Sequence, residues 1–201
     1  MTTDRATARA FVERLYVAHH REIYAYLARM LRDDELAADL TQETFVKAYR
    51  AHDTLQDINR ARAWLYQIAG RTALDELRRR KIVRFVPWTG ESRGEASSAE
   101  DLVLRARLSA DLERALQRIP PRQRQALLLS ELHELTGIEL AEAMGVSHVA
   151  ARALLTRGRE SLRQALAVER AQSAIAETRR ATGADARARS SDDRDRRGRG
   201  R

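Results

Sequence analysis

The chain has 201 residues, of which 43% are hydrophobic and 33% charged, and its formal net charge at pH 7 is +8. This basic excess favours a polyanionic partner, although charge alone does not distinguish DNA, RNA and an anionic membrane surface. The chain contains no cysteine, which excludes disulfide bonds and thiolate metal sites. No apolar run has the length of a membrane span, and the N-terminus lacks the apolar core of a signal peptide, so we expect a cytoplasmic protein.

Two helices open a first domain that is predicted over residues 9–81. Apolar side chains recur at helical spacing from Ala10 to Leu31, with an interruption near His19-His20. Asp33-Asp34 then breaks the pattern and can cap a second helix that begins near Glu35. The outward face of this second helix carries Asp39, Gln42, Glu43 and Val46. Such a stripe fits either a solvated surface or a protein-docking surface, and the pattern by itself favours the solvated one.

A basic helix with aromatic residues near its start follows an irregular stretch. Residues 51–62 show no steady period and predict a loop, after which the helical pattern runs from Ala63 to Lys81. Trp64 lies near the start of this helix, and more arginines crowd its end than a helix C-terminus requires. An aromatic ring for stacking, combined with cations for phosphates, suits single-stranded nucleic acid. The alternative is that Trp64 anchors the core, and the sequence alone favours that alternative.

A change of composition then divides the chain. Residues 82–100 include a run rich in Gly, Ser and Glu, which predicts a flexible linker. A second helical domain is expected over residues 101–167. Residues 168–201 form a basic tail that we expect to be largely disordered, because no apolar side chain larger than Ala occurs beyond residue 180.

The second domain contains the pattern of a helix-turn-helix. Gly145 suits the left-handed residue that ends one helix, and Ser147 suits the cap of the next. On this next helix, apolar residues share one side and cationic or hydrogen-bonding residues share the other, as a helix in the major groove of DNA requires. The candidate DNA contacts are Ser147, His148, Arg152, Thr156, Arg157 and Arg159. An ordinary helical hairpin with a solvated arginine face stays open as the alternative.

The predicted fold class is all-α, with two small helical domains joined by a flexible linker, a helix-turn-helix in the second domain, and a disordered C-terminal tail. The five histidines are scattered, and the chain has neither a glycine-rich phosphate loop nor a nucleophile motif. We therefore expect no catalytic residues, no cofactor and no metal site.

Four motifs in order along residues 11–166 resemble bacterial RNA polymerase sigma factors of the extracytoplasmic-function (ECF) group of the sigma-70 family. DLTQETFVKAYR (Asp39–Arg50) is similar to the helix of that family that binds core polymerase. WLYQIA and TALDELRRR (residues 64–69 and 72–80) are similar to its segment that melts and recognises the minus-ten promoter element. RIPPRQRQALLLSELHELTGIELAEAMGVS and VAARALLTRGRESLR (residues 118–147 and 149–163) resemble its domain for the minus-thirty-five element.

The resemblance implies a sigma factor that binds core RNA polymerase and directs it to promoters, including promoter melting. It implies that the stripe on the second helix (Asp39, Gln42, Glu43 and Val46) docks on core polymerase. The residues expected to contact minus-ten DNA are Asn59, Arg62, Trp64, Arg71, Asp75, Arg78 and Arg79. Promoter DNA is then the partner both as duplex and as melted strand. An anti-sigma factor is compatible, although no residue identifies one, and neither a membrane nor a small-molecule substrate is expected.

Some positions depart from the family pattern, and two other classes of function stay open. Gly70-Arg71 stands where Arg-Asn is common, and Ala150 and Leu154 stand where Thr and Arg are frequent in the recognition helix. One alternative is a stand-alone helix-turn-helix transcriptional regulator, which leaves DLTQETFVKAYR unexplained. The other is a helical protein-interaction module, which predicts indifference to DNA.

Overall fold

The computed structural model describes residues 2–55, 57–83 and 110–198, with the side chains of residues 8–55, 57–82 and 110–175. Two 3-10 turns, His52–Thr54 and Ile58–Arg60, precede the third α-helix, and a π-helical turn, Leu128–Leu132, continues the fifth. Over these ranges the chain has no strand, which confirms the all-α prediction. The α-helices are α1 (Thr2–Leu31), α2 (Asp34–Arg50), α3 (Ala61–Val83), α4 (Ala110–Arg118), α5 (Pro121–Leu127), α6 (Gly137–Met144) and α7 (His148–Gly198).

The predicted linker falls almost wholly outside the described residues. Its first two positions, 82 and 83, continue α3. The helical pattern that was predicted to resume at residue 101 is described only from Ala110 onward. The ends of the two helical groups that flank this gap are therefore fixed at Val83 and Ala110.

Helices α1, α2 and α3 form the first helical group around large buried side chains. Ile23, Tyr26 and Leu27 of α1 and Leu65 and Tyr66 of α3 are fully inaccessible to solvent. Burying a large apolar side chain contributes roughly 1.5–3 kcal/mol relative to leaving it exposed. Side chains of α1 and α3 therefore supply much of the buried core of this group.

The boundary between α1 and α2 agrees with the sequence, whereas the interior of α1 does not. Asp33 Oδ1 accepts a hydrogen bond from the Leu36 N–H at 3.0 Å, which confirms the predicted cap. The predicted interruption near His19-His20 is wrong, because α1 is continuous through it. Both imidazoles are only partly buried, and the His20 ring stacks on Tyr16 with 4.8 Å between centroids, so neither requires a break in the helix.

Helices α4 to α7 form the second helical group, which contains the helix-turn-helix. Pro121 begins α5, where its fixed φ and missing N–H suit the first helical position. Thr136 and Glu139 form a capping box at the start of α6. Gly145, at φ 61° and ψ 41°, ends α6 in the left-handed region, and Ser147 Oγ accepts a backbone N–H at 3.2 Å at the start of α7. The predicted turn chemistry is thus confirmed.

The final helix, α7, extends beyond the helix-turn-helix. Its backbone is helical through Gly198. Glu169, which is 2% exposed, accepts hydrogen bonds from Arg114 at 2.8 Å and from Arg118 at 2.5 Å, so α7 is held against α4 beyond the helix-turn-helix. The residues that follow Glu169 are rich in Ala and Arg, which are strong helix formers. This segment contains no proline.

The two helical groups pack against each other, with α3 facing α6 and α5 facing α1. Their buried apolar side chains form one cluster. Arg124 of α5 donates from Nη1 to the Met30 carbonyl at 2.6 Å, and Gln117 of α4 donates from Nε2 to the Arg29 carbonyl at 3.0 Å. These bonds satisfy carbonyls at the C-terminal end of α1, where the last carbonyls of a helix have no N–H donor within the helix.

Gly158 gives a test of how closely α7 packs on α5. A Cβ at this position would lie 2.9 Å from the Gln123 carbonyl oxygen and 3.0 Å from Leu127 Cγ. Helix propensity alone predicts that Gly158→Ala stabilises the protein by about 1 kcal/mol. We expect the opposite sign, a loss of about 1–2 kcal/mol in the free energy of unfolding measured in urea, because overpacking against backbone outweighs propensity.

Gly137→Ala is the matched control. Its Cβ would meet only the tip of the exposed His148 side chain, which can move away. A gain in stability for Gly158→Ala of the same size as in the control would show that α5 and α7 are not in close contact.

Candidate nucleic-acid interface

The acidic stripe on α2 lies on the outside of the first helical group. Ala37, Leu40 and Thr44 point into the core, which turns the opposite side of the helix to solvent. Lys47 ties this helix to α3, because its Nζ lies 2.9 Å from Thr72 Oγ1 and 2.8 Å from Glu43 Oε1. All four side chains that the sequence singled out, Asp39, Gln42, Glu43 and Val46, are exposed. They form one accessible surface, which we call the α2 stripe.

The aromatic start of α3 borders an ordered turn. The predicted loop over residues 51–62 is wrong in part, because two 3-10 turns occupy much of it and α3 begins at Ala61. Asp57 Oδ1 accepts the Asn59 N–H at 2.9 Å and so caps the second turn. Trp64 is half-buried, and its Nε1 donates to Thr54 Oγ1 at 3.3 Å. The ring thus packs on the core with one side and remains partly accessible with the other.

The basic end of α3 is exposed, and most of its arginines are neutralised by acids on the same helix. Arg78 pairs with Asp75 at 2.8 Å, and Arg79 pairs with Glu76 at 2.6 Å. Arg71 is exposed and makes no ion pair within the described residues. Exposed pairs of this kind contribute little to stability, so their cations can exchange an acid for a phosphate at small cost.

Arg62 lies half-buried in a polar cluster between the two helical groups. Its Nε donates to Glu22 at 3.1 Å, and its Nη2 donates to the His133 carbonyl at 2.6 Å. Tyr66 Oη lies 3.1 Å from Glu22 and 2.7 Å from His133 Nδ1. We call these four side chains, Glu22, Arg62, Tyr66 and His133, the junction cluster. Sequence reasoning missed three of them, because the bonded residues are 40 to 71 positions apart.

The hydrogen bonds of the junction cluster determine which ring nitrogen of His133 carries the proton. A tyrosine hydroxyl has one proton to donate. If it donates to the Glu22 carboxylate, the Tyr66 oxygen accepts from a protonated His133 Nδ1, and Nε2 carries no proton. His133 Nε2 is buried without a hydrogen-bond partner, so a second proton there would be unsatisfied. Burial and the charges of Arg29 and Arg62 accordingly lower the pKa of His133 to about 4, although Glu22 opposes them.

The second helix of the helix-turn-helix presents the expected basic face. Arg159 pairs with Glu131 at 2.6 Å, whereas Arg152 and Arg157 make no ion pair within the described residues. Leu154 is partly buried against the core, so this departure from the family pattern is a packing residue. Ser147 is exposed, although its hydroxyl is engaged in the cap. The other exposed candidates are His148, Arg152, Thr156, Arg157 and Arg159.

A cleft of about 860 Å³ separates the start of α3 from the turn of the helix-turn-helix. Trp64 and Gln67 line one wall, and Ile138, Gly145 and His148 line the other. The two predicted DNA-contacting regions thus face each other across a narrow space, and they do not form one continuous surface.

Two searches of the described residues bear on other classes of function. No helix there combines the length and apolar character that crossing a lipid bilayer requires. In the same ranges, no group of three or more acidic and imidazole side chains is arranged to hold a metal ion.

The chain matches two family models that together follow the two helical groups. Residues 15–82 match sigma-70 region 2, and residues 109–162 match sigma-70 region 4. It is 33% identical to the RNA polymerase sigma factor CarQ of Myxococcus xanthus, over 83% of this chain and 95% of that protein. This protein belongs to the sigma-70 family, in its ECF group. It is also 31% identical to the ECF sigma factor SigE of Mycolicibacterium smegmatis, over 86% of this sigma factor and 68% of that protein.

Solved structures share the fold at lower sequence identity. The sigma factor RpoE of Bartonella quintana, in complex with the anti-sigma factor NepR, has a TM-score of 0.61 and 19% identity. That match covers 78% of this chain and 96% of the other. CnrH, in complex with the cytosolic domain of CnrY, has a TM-score of 0.54 and 23% identity, covering 82% of this chain and 95% of that one. Both support the fold of this sigma factor.

His133 predicts a pH dependence of stability. Its pKa is about 4 in the folded protein and about 6.5 in an unfolded chain, so the unfolded state binds more protons below pH 6.5. The stabilisation linked to the His133 imidazole is therefore fully present above pH 6.5, and it is lost as the pH falls toward 4. Between pH 7 and pH 5 this group accounts for a loss of about 2 kcal/mol in the free energy of unfolding.

The measurement is urea unfolding of the wild type and of His133→Asn at both pH values. The asparagine amide retains a donor near the Nδ1 position but does not titrate. We therefore expect the free energy of unfolding of His133→Asn to fall by about 2 kcal/mol less than that of the wild type between pH 7 and pH 5. Equal losses in the two proteins would contradict a buried neutral imidazole. Paired carboxylates such as Glu22 and Glu169, whose pKa values are lowered, titrate below this window and are common to both proteins.

Proposed function

We propose that this sigma factor divides promoter recognition among three surfaces, each on a different helix. Sigma factors of this family bind core RNA polymerase and direct it to specific promoters, where they assist melting. The α2 stripe is assigned to polymerase, the basic face of α7 to duplex DNA, and the aromatic-basic side of α3 to the unpaired strand. The observation that supports this division is that one chain combines an exposed acidic stripe with two separate basic surfaces.

The α2 stripe suits a protein partner more than DNA. Three of its four side chains are acidic or neutral hydrogen-bonding groups, and Val46 adds an apolar side chain that is 48% exposed. Carboxylates repel phosphates, so this surface is unsuited to promoter DNA. An apolar residue among acids fits a basic, partly apolar surface on core polymerase.

The basic face of α7 suits the minus-thirty-five element as duplex. Arg152 and Arg157 are exposed cations without an acid partner among the described residues, so they lose no ion pair when they bind DNA. Arginine pairs with guanine edges in the major groove and also with phosphates. Thr156 and His148 add neutral hydrogen-bonding groups on the same side of the helix.

The start of α3 and the turn before it suit the minus-ten element as a single strand. Trp64 lines the cleft, Asn59 and Arg62 come shortly before it in the chain, and Arg71, Asp75, Arg78 and Arg79 continue along α3. Removing a base from the stack costs a few kcal/mol. Contacts that form only with the unpaired base offset this cost and so favour melting. Residues 82–100 tether the two domains, and a tether raises the effective concentration of the second contact once the first has formed.

The remaining assignments follow from this role. The sigma factor contributes no catalytic step, because bond formation belongs to core polymerase, and it acts in the cytoplasm, where the polymerase transcribes. The Bartonella quintana relative was solved with an anti-sigma factor. We therefore propose a protein inhibitor of this kind as a further partner of this chain.

The α2 stripe is tested by run-off transcription with purified core RNA polymerase on a mixed promoter library. We expect discrete start sites with the wild type and at least tenfold less product with an Asp39/Gln42/Glu43 triple alanine variant, because docking groups are lost. A Gln164/Val168/Arg170 triple alanine variant, which alters exposed side chains on α7 beyond the recognition residues, is the control. Undiminished product from the first variant contradicts the docking assignment, and tight promoter binding without any transcripts favours a stand-alone regulator.

Arg152→Ala tests the duplex contact. If Arg152 recognises a base, binding of promoter duplex weakens by about 1–3 kcal/mol on the preferred sequence and less on sequences altered at that base. Fluorescence anisotropy with a panel of single-base variants measures the difference, and Arg170→Ala controls for the loss of one exposed charge from α7. An equal loss on every sequence makes Arg152 a phosphate contact, and no loss removes it from the interface.

A further inference from the structure

An apolar side chain projects into solvent from the first turn of α7. Val149, the second residue of this helix, is 78% exposed, more than any other large apolar side chain that the structure describes. Two positions later, Ala151 is buried in the core at 1% exposure. Residues two apart on a helix point about 160° away from each other, so Val149 lies on the side opposite the core. Packing within the chain therefore does not account for a valine at this position.

The local structure gives the Val149 side chain a defined position. Ser147 Oγ accepts the Ala150 N–H at 3.2 Å, which caps the helix at the residue before His148. A β-branched side chain has one strongly preferred χ1 rotamer in a helix, so the two valine methyls have a fixed direction. The neighbouring His148 side chain lies over Gly137 at the start of α6. Val149 is thus a rigid apolar group on the accessible side of the helix-turn-helix.

Val149 belongs to the face of α7 that is proposed to enter the major groove. Arg152 follows it by three residues and Thr156 by seven, and this spacing places the three side chains in one row along the helix. Arg152 and Thr156 are exposed as well. The N-terminal residues of the second helix in a helix-turn-helix are those that contact base edges. Val149 therefore lies beside the bases when Arg152 is in the groove.

The C5 methyl of thymine is the group in the major groove that suits an apolar side chain. The other base edges present hydrogen-bond donors and acceptors there, and a valine satisfies none of them. Such a polar edge, covered by a valine, would lose its water without gaining a partner. Against a methyl group, two apolar surfaces leave water together. The chemistry of Val149 thus selects one base among four.

We propose that Val149 is a specificity-determining residue of this sigma factor, which recognises the C5 methyl of a thymine in the minus-thirty-five element. The proposal rests on the assignment of the basic face of α7 to duplex DNA. It deepens that assignment by naming a base and the group on it that no arginine recognises. Cβ atoms three residues apart on a helix are about 5–6 Å apart and successive base pairs about 3.4 Å, so the thymine lies within about two base pairs of the group that Arg152 contacts.

The test uses holoenzyme assembled from the full-length sigma factor and core polymerase. The probe is a promoter duplex recovered by run-off transcription, in which each thymine of the upstream element is replaced in turn by deoxyuridine. This replacement removes the C5 methyl and keeps every hydrogen-bonding group of the base pair. Competition binding measures the affinity of each duplex for holoenzyme containing the wild type or Val149→Ala. The matched control is Val168→Ala, which shortens an exposed valine of α7 beyond the recognition residues.

We expect deoxyuridine at one position to weaken binding of the wild-type holoenzyme about fourfold, the effect of one buried methyl group. Val149→Ala should weaken binding of the thymine duplex by a similar factor. It should then be indifferent to deoxyuridine at that position, because the contact of the methyl is already lost. Val168→Ala should behave as the wild type. Alanine is a better helix former than valine, so the exposed substitution leaves the domain folded, which circular dichroism melting checks.

The salt dependence of binding gives a second readout. A contact with a methyl group releases no counterion from DNA, whereas a contact with a phosphate does. Val149→Ala should therefore leave the slope of log affinity against log salt concentration unchanged. A smaller slope would mean that phosphate contacts of α7 were lost together with the valine, which overturns a contact confined to one methyl group.

The outcomes separate this proposal from the assigned function. If the wild type yields transcripts and Arg152→Ala weakens duplex binding, but no single deoxyuridine does, the thymine contact is wrong and recognition by α7 stands. The same conclusion follows if Val149→Ala loses an equal factor on thymine and deoxyuridine duplexes, because groups that are not in contact have independent effects. If the wild type yields no transcripts with core polymerase, the proposed function fails and the thymine contact fails with it.

Discussion

Helix α3 is buried on two sides, and the rest of the structure depends on this double burial. One side packs on α1 and α2 through Leu65, Tyr66 and Ala69, which are inaccessible to solvent. The other side meets α6 of the second helical group. A helix with two buried sides has only a narrow exposed strip, so the position of the second group decides which part of α3 remains available to a partner.

The junction cluster makes that position specific. Glu22, Arg62, Tyr66 and His133 come from both helical groups, and each completes the hydrogen bonding of another. Buried polar groups are costly unless they are paired, so a small shift of one domain along the other leaves several of them unsatisfied. Apolar packing alone would tolerate such a shift. The cluster therefore specifies how the two helical groups dock on each other.

The three surfaces proposed for polymerase, duplex DNA and the unpaired strand lie on three different helices. The α2 stripe, proposed for polymerase, and the basic face of α7, proposed for duplex DNA, are both exposed.

The sequence by itself determined the helical class, the caps at Asp33, Gly145 and Ser147, and the membership of the α2 stripe and the α7 face, because helical periodicity and capping act within a few residues. It misplaced what local signals do not specify, such as the continuity of α1 through its histidines and the turns before α3. Only the tertiary structure decided that Arg62 is paired across domains and that Gly70 faces Gln125. Such contacts join residues more than 50 positions apart, and no local pattern encodes which of many compatible side chains will meet.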